Sequence, residues 1–258
     1  MNILRSFIII FFISIAAHSV FAQKRGSPSV APAKPSASKS SVNYRLLANY
    51  DFVMTNPSDL NNQRSQFLWN NTTATQGTFG NMNGFSVGAG YLAGHGFLGL
   101  EYAHASQDLS NTLITPGTFS VKDSFNYDTA YILYDWLLNQ GPSQSYELGV
   151  GVGQAIKFQY HNILSGNGTT EDLIWQATPV VFKLRAHYNH HFSNNVRFRL
   201  GATYENATSS SMKADSNHPT IIINGSGVVS GQTLKTAGSD TKVDISGLRL
   251  SAGLVVAF

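Results

Sequence analysis

Two side chains with the chemistry of a serine hydrolase stand two positions apart in the sequence, His104 and Ser106. A histidine can take the proton from a serine hydroxyl and make it a nucleophile, provided that an acid orients the imidazole ring. No acid is well placed for this, because Glu101 is expected on the opposite face of the same segment, and Asp108 and Asp123 are expected in a loop. A hydrolase is therefore an alternative interpretation, and no catalytic residue is assigned.

Two other groups of residues could suggest a ligand. The alternating glycines over residues 149–153 lack the spacing of a dinucleotide-binding loop and the helix that should follow it. His187, His190 and His191 surround a predicted short turn and could bind a transition metal, but a hydrated turn also explains them. We therefore expect no cofactor and no metal.

The chain is poor in charged residues. Of its 258 residues 12% are charged, and it has 23 glycines and no cysteine. Globular proteins carry about 25% charged residues, so roughly half of the usual surface charge is missing. The absence of cysteine excludes a disulfide framework, thiolate metal ligands and a cysteine nucleophile.

The first 42 residues are expected to lie outside the folded domain. Residues 1–22 resemble a secretory signal, with Arg5 followed by an apolar run over residues 7–17. Residues 23–42 are rich in Pro, Ala, Ser and Lys, which predicts a flexible linker. These two segments hold 5 of the 17 cations, which leaves 12 against 14 acids in residues 43–258. A domain charge of −2 gives no reason to expect nucleic-acid binding.

Residues 43–258 alternate between apolar and polar side chains with a period of two, which indicates β-strands. Eight such segments can be recognised, and each is long enough to cross a bilayer as a tilted strand of about 9–11 residues. They cover approximately residues 44–52, 82–92, 97–106, 124–137, 146–160, 180–188, 196–205 and 248–258.

Short and long connections alternate between these segments. The short ones are residues 93–96, 139–144 and 189–195, and the long ones are residues 55–81, 107–123, 161–172 and 207–241. Short periplasmic turns and long extracellular loops are typical of outer-membrane barrels. We therefore predict an all-β fold, an eight-stranded antiparallel transmembrane up-and-down β-barrel over residues 43–258.

One face of each segment is expected to contact lipid and the other to fill the lumen. The glycine-rich face carries twelve charges, which should pair because an unpaired buried charge costs several kcal/mol. Asp135 and Gln154 are instead predicted in the lipid register. We expect an occluded lumen, and a small-solute channel is the alternative. The predicted lumen charges are Arg45, Asp51, Glu101, Asp128, Glu147, Lys157, Lys183, Arg185, Arg197, Arg199, Glu205 and Arg249.

Aromatic residues near both ends of the apolar face predict the two girdles of a membrane barrel. A soluble barrel would bury this face, but its glycine-rich face would then make a poor solvated surface. The predicted girdle at the short turns contains Tyr44, Tyr91, Tyr146, Tyr188 and Phe258, and the one at the long loops contains Phe52, Phe85, Tyr102, Phe125, Tyr160 and Tyr204.

The C-terminal segment, residues 251–258, alternates apolar positions and ends in Phe258. It resembles the assembly signal of bacterial outer-membrane barrels, although Val256 stands where an aromatic residue is often found. With the eight segments, it makes residues 43–258 similar to the small outer-membrane β-barrel family of OmpA-membrane-domain, OmpX and opacity-protein type. The pair His104 and Ser106 resembles the His-x-Ser pair of outer-membrane lipid A deacylases, which carry it later in the chain.

The resemblance implies an integral outer-membrane protein of a Gram-negative bacterium, in contact with outer-membrane lipids and lipopolysaccharide. It also implies recognition of the C-terminal segment by the barrel-assembly machinery. We expect a monomeric, non-enzymatic protein with a structural and surface-interaction (adhesin-like) role. An extracellular partner would bind loops 55–81 and 207–241, which contain apolar segments at residues 67–69 and 221–223 and a predicted hairpin turn at 224–227. We expect these loops to be separable from the barrel.

Overall fold

The computed structural model describes residues 44–62, 77–113, 119–166, 168–209, 211–217, 228–236 and 238–258. The predicted signal peptide and linker lie outside the described residues, as do residues 67–69, 221–223 and 224–227 of the predicted loops. Within the described residues, no helix is long and apolar enough to cross a membrane.

In the described part of the chain, nine long strands form the wall of the barrel, and four short ones lie in the last connection. The long strands are β1 (Tyr44–Met54), β2 (Asn81–Ala93), β3 (Gly96–Leu113), β4 (Phe119–Gln140), β5 (Gln144–Gly166), β6 (Thr169–Ala177), β7 (Val180–His191), β8 (Val196–Ser209) and β13 (Gly247–Ala257). The short strands are β9 (Lys213–Ala214), β10 (Lys235–Thr236), β11 (Ser239–Asp240) and β12 (Val243–Asp244).

The wall closes into a ring because β1 pairs with β2 on one side and with β13 on the other. All neighbouring strands are antiparallel. Strands β6 and β7 follow one another along β5 and together occupy one position of the ring. Between them, Pro179 has no amide hydrogen to donate, but its carbonyl accepts a hydrogen bond from the Ala155 amide at 2.9 Å. The ring therefore has eight positions, and the predicted fold class is confirmed.

The three short turns lie at one end of the ring, as predicted. They connect β2 to β3, β4 to β5 and β7 to β8. In the first of them Gly94 has a φ of 63°, a left-handed conformation that a residue with a side chain adopts only with strain.

The wall is much taller on one side. Beyond Ser106, strands β3 to β6 continue as a four-stranded sheet of residues 107–113, 119–125, 160–166 and 169–175, here called the extension. The predicted loop 161–172 is therefore wrong, because it is a strand hairpin, and the predicted loop 107–123 is mostly strand. Polar residues suggested loops here, but Val121, Leu164 and Leu173 alternate with them and are buried, which keeps both hairpins extended.

Strand β4 faces the opposite way to the prediction. Tyr127, Tyr131 and Leu133 point into the barrel and are buried, whereas Asp128 lies on the outside. Asp135, predicted in the lipid register, is likewise fully buried inside. The predicted orientation holds only if every apolar face contacts lipid, but the half of this lumen near the long loops is itself apolar.

Strand β5 changes phase at a bulge opposite Asp128 and Thr129. Below the bulge its alternation follows the prediction. Above it, Phe158 and Tyr160 turn inward and Lys157 turns outward, so the predicted lumen position of Lys157 is wrong. Tyr160 and its neighbour Phe125 are consequently not members of the girdle at the long loops.

The inward aromatic residues form an apolar plug in the half of the barrel near the long loops. Phe79 packs on Phe125 and Tyr160 at ring-centroid distances of 6.1 and 6.0 Å, and Phe125 packs on Phe158 at 5.1 Å. The two longest connections contribute buried residues to the same cluster, among them Leu60, Phe79, Met212, Val228 and Leu234. The described parts of these loops therefore pack into the plug, and the expectation that the barrel folds without the loops stays a prediction.

Candidate functional site

Eleven charged side chains fill the other half of the lumen. Ten of the twelve predicted lumen charges are buried there, Asp128 and Lys157 are not, and Asp135 is added. The cations are Arg45, Lys183, Arg185, Arg197, Arg199 and Arg249, and the carboxylates are Asp51, Glu101, Asp135, Glu147 and Glu205.

These charges are connected by ion pairs across the lumen. Arg185 donates to Asp135 through Nε at 2.7 Å and through a terminal nitrogen at 2.6 Å, and to Glu101 at 2.6 Å. Arg45 contacts both Asp135 and Glu147. Nearer the plug, Arg249 contacts Asp51 at 3.0 Å and Glu205 at 3.1 Å, while Lys183 contacts Glu101. The predicted pairing of lumen charges is thus confirmed for every charge of this network except Arg197, which forms no ion pair with a described residue.

The glycines on the lumen face leave room for these side chains. A β-carbon at Gly149 would collide with the carboxylate of Asp135, and one at Gly151 would collide with Leu133. The alternating glycines of β5 therefore serve close packing across the lumen.

The charge network and the plug together occlude the lumen of the described barrel. We predict that the purified protein shows no stable conductance of nanosiemens size in planar lipid bilayers. Steps of that size would contradict occlusion and favour the channel interpretation. A strand-matched barrel that is known to conduct provides the positive control for insertion.

Asp135, Glu147 and His187 have the residue types of a cation site, but the groups around them are positively charged. Asp135, Glu147 and His187 each place one ligand atom within 4.8 Å of the others. However, Arg45 contacts both carboxylates, and Arg185 and Arg199 each contact one of them. A divalent cation would have to displace guanidinium groups, so this end of the lumen does not favour a metal.

The three histidines near the last short turn do not form a cluster. His187 is buried in the lumen, and His191 contacts the Ser145 hydroxyl through Nε2 at 3.0 Å. His190 points outward and packs its ring on Phe192.

A polar row on the outer wall contains both residues of the predicted hydrolase pair. His104 on β3 lies directly opposite Asp128 on β4, and its Nδ1 is 2.5 Å from the Asp128 carboxylate. The Tyr102 hydroxyl lies near this carboxylate on the same outward face. Phe85 packs on the His104 ring from the other side, at a centroid distance of 5.3 Å. Because Nδ1 contacts Asp128, Nε2 is the ring nitrogen that remains available to another group.

Ser106 follows on the same outward face, one row nearer the extension. Register places Asn83 of β2 on one side of it and Asn126 of β4 on the other. Side chains paired in this way have β-carbons about 4.5–5.5 Å apart. The Tyr50 hydroxyl donates to Oδ1 of Asn83 at 2.8 Å, so the Asn83 amino group remains available to a ligand.

Outside this row and apart from Gln154 and Lys157, the wall below the extension is mostly apolar. Leu100 is 66% exposed and Ile156 is 64% exposed, although buried positions inside the ring hold arginine and glutamate. Exposed aromatic side chains mark both ends of this belt, which confirms Tyr44, Tyr91 and Phe258 in one predicted girdle and Phe52, Phe85 and Tyr204 in the other. An apolar exterior around a charged interior is stable only where lipid replaces water. The chain is a small outer-membrane β-barrel.

No family model matches this outer-membrane barrel, and no curated protein matches it either. Among solved structures it is similar to neisserial surface protein A, with 15% identity and a TM-score of 0.40 over 83% of this chain and 97% of that chain. It is also similar to Ail, the attachment invasion locus protein of Yersinia pestis (10%, 0.37, 84% and 99%) and to OprG of Pseudomonas aeruginosa (10%, 0.40, 84% and 95%). These likenesses are remote, and the assignment stands on the burial pattern of the barrel itself.

The acid that the sequence did not supply is Asp128. The alternation of β4 predicts Asp128 in the lumen if Tyr127 and Tyr131 face lipid. Its phase with Ile132 and Trp136, two exposed apolar residues of the same strand, is the signal that could have placed it outside.

Proposed function

We propose that this outer-membrane barrel is a hydrolase that cleaves an acyl ester of an outer-leaflet lipid. The observation that carries the proposal is the 2.5 Å contact between His104 Nδ1 and Asp128, on the same outward face as Ser106. A hydroxyl nucleophile, an imidazole base and an orienting carboxylate are the three groups that serine hydrolases use, on many unrelated folds.

The proposed chemistry gives each of the three groups one role. His104 Nε2 accepts the proton of the Ser106 hydroxyl while Ser106 Oγ attacks the carbonyl carbon of the ester. The same imidazole then protonates the departing alcohol, which leaves an acyl group on Ser106. Water, activated by His104, hydrolyses this acyl-serine and releases a fatty acid. Asp128 holds the imidazole in the required tautomer throughout.

Negative charge that develops on the ester oxygen needs hydrogen-bond donors. The side chains of Asn83 and Asn126 flank Ser106, and their amide groups can donate to an oxyanion formed there. In structures without substrate such contacts are often long, and they shorten in the reacting complex.

The location of the row fits a lipid substrate. Phe85 and Tyr102 belong to the girdle at the long loops. His104 and Ser106 therefore lie near the boundary between the acyl chains and the polar headgroups of the outer leaflet. An ester bond that joins an acyl chain to a headgroup lies at this depth. A lipid therefore reaches the row from the bilayer without entering the sealed lumen.

A fluorophosphonate probe tests the proposal, because it labels an activated serine covalently. We expect the full-length protein in lipid vesicles to be labelled, with peptide mass spectrometry placing the adduct on Ser106. Lipid mass spectrometry of cells with and without the gene should show loss of one acyl chain from an outer-leaflet lipid, and its mass identifies phospholipid or lipid A as the substrate. Absence of both labelling and acyl loss would reject the hydrolase.

The structural and surface-interaction role expected from the sequence is the second candidate. It is favoured by the extension, which raises exposed polar residues such as Ser110, Lys122 and Thr170 above the membrane belt. Binding of whole cells to a surface panel separates the two functions, since Ser106→Ala should abolish hydrolysis and leave such binding unchanged.

A further inference from the structure

The charges inside the membrane-spanning part of the barrel do not balance. Among the described residues, six lumen cations face five lumen carboxylates, which leaves one positive charge in excess. The remaining buried acid, Asp123, lies in the extension, where it accepts hydrogen bonds from Tyr160 and Asn162. An unbalanced charge removed from water is costly, so this excess calls for a counter-ion.

The excess positive charge lies at the end of the lumen near the short turns. Arg197, the second residue of β8, is 4% exposed, and it forms no ion pair with any described residue. Arg199 lies two residues further along the same buried face of β8, and Arg45 is near enough for its charge to act on Arg197. Arg45 and Arg199 share a single acceptor atom, Oε2 of Glu147, at 2.8 Å each. Since both nitrogens contact one oxygen, they are at most 5.6 Å apart (twice 2.8 Å).

All three arginines retain buried N–H groups without an acceptor among the described residues. These groups are Nε of Arg45, Nε of Arg197 and one terminal nitrogen of Arg199. The neighbouring acceptors are already used, because Asn189 accepts from Arg199 Nε through Oδ1 and donates to Glu147 through its amino group. A buried donor without a partner costs about 1–3 kcal/mol, and more when it is charged.

We propose that this end of the lumen binds one small monovalent anion of the halide type between Arg45, Arg197 and Arg199. One negative charge neutralises the excess, whereas a dianion would overshoot it, and a water molecule would accept hydrogen bonds but leave the charge uncompensated. Arg197 lies next to the turn between β7 and β8, so an anion enters from the periplasmic side without passing the plug. The site is independent of the outer-wall hydrolase.

Bromide is the probe for this site, because it replaces chloride and can be located by its anomalous scattering. We expect crystals of the full-length protein grown in sodium bromide to show one anomalous peak among the three arginines. We also expect the unfolding temperature in detergent to rise with bromide concentration and to reach a plateau, relative to gluconate at the same ionic strength.

Two variants make the outcome specific. Arg197→Gln should lose both the peak and the saturable rise, whereas Lys157→Gln, which removes one positive charge from the outer wall, should keep both. Wild-type crystals without a peak at this position would overturn the proposal, and so would an equal bromide response in Arg197→Gln. If Arg197→Gln does not fold, the wild-type crystals alone decide.

Discussion

Replacing Ser106 with alanine is expected to lower the rate of ester hydrolysis about 10⁶-fold, to the background set by substrate binding and the oxyanion donors. The alanine removes the atom that attacks the ester in the first step of the proposed mechanism. Release of fatty acid from lipid vesicles, followed by mass spectrometry, measures the effect. Ser110→Ala is the matched control, because Ser110 lies four residues along the same outward face of β3.

A second variant tests the residue that only the structure revealed. Asp128→Asn keeps the shape of the side chain but no longer favours the tautomer with a proton on Nδ1, and we expect a loss of about 10⁴-fold in kcat with the barrel still folded. Full activity in Asp128→Asn would contradict the assigned role of the His104–Asp128 contact. An equal loss of hydrolysis rate in Ser110→Ala would show that any substitution on this face lowers the activity.

Replacing Arg185 with methionine is expected to lower the free energy of unfolding by about 3–5 kcal/mol. Arg185 is the cation that joins Asp135 to Glu101, and methionine fills similar space without donating to either. Equilibrium unfolding in urea with lipid vesicles measures the change, and the altered gel mobility of unheated barrels reports the folded fraction.

The network itself supplies the control for this variant. Arg197→Met removes the same kind of charge from the same lumen, but Arg197 forms no ion pair with a described residue. In halide-free buffer we expect it to cost about 1 kcal/mol or less, because no carboxylate loses its partner. Equal costs for the two variants would show that side-chain volume, not ion pairing, determines the effect.

The sequence predicted the ring and its orientation because alternation is a local property. Segments such as residues 196–205 and 248–258 show which residues share a face, and the lengths of the connections show which end faces the periplasm. Alternation does not show which of the two faces points outward. That choice was made by assuming a wholly polar lumen, and it failed for β4, where Tyr127 and Tyr131 help to build the plug.

The candidate site was predictable only in part for the same reason. His104 and Ser106 share a strand and a face, so their proximity follows from their spacing. Asp128 reaches them through the register between β3 and β4, and Asn83 through the register between β2 and β3. These relations join residues more than twenty positions apart. The bulge that turns Lys157 outward is equally invisible, since Ile156 and Lys157 continue the alternation of β5 without interruption.

The pairing of β1 with β13 also determines how the chain must fold. It joins Arg45 to Ala257 and Met54 to Leu248, residues at opposite ends of the described barrel. A contact across so many residues has a high entropic cost of loop closure, and chains rich in such contacts fold slowly. Until β13 is in place, β1 and β8 both have unpaired edges that invite aggregation. Pairing of β13 with β1 therefore closes the barrel at the end of a slow folding reaction. Until then, the open sheet must be kept from pairing with other chains.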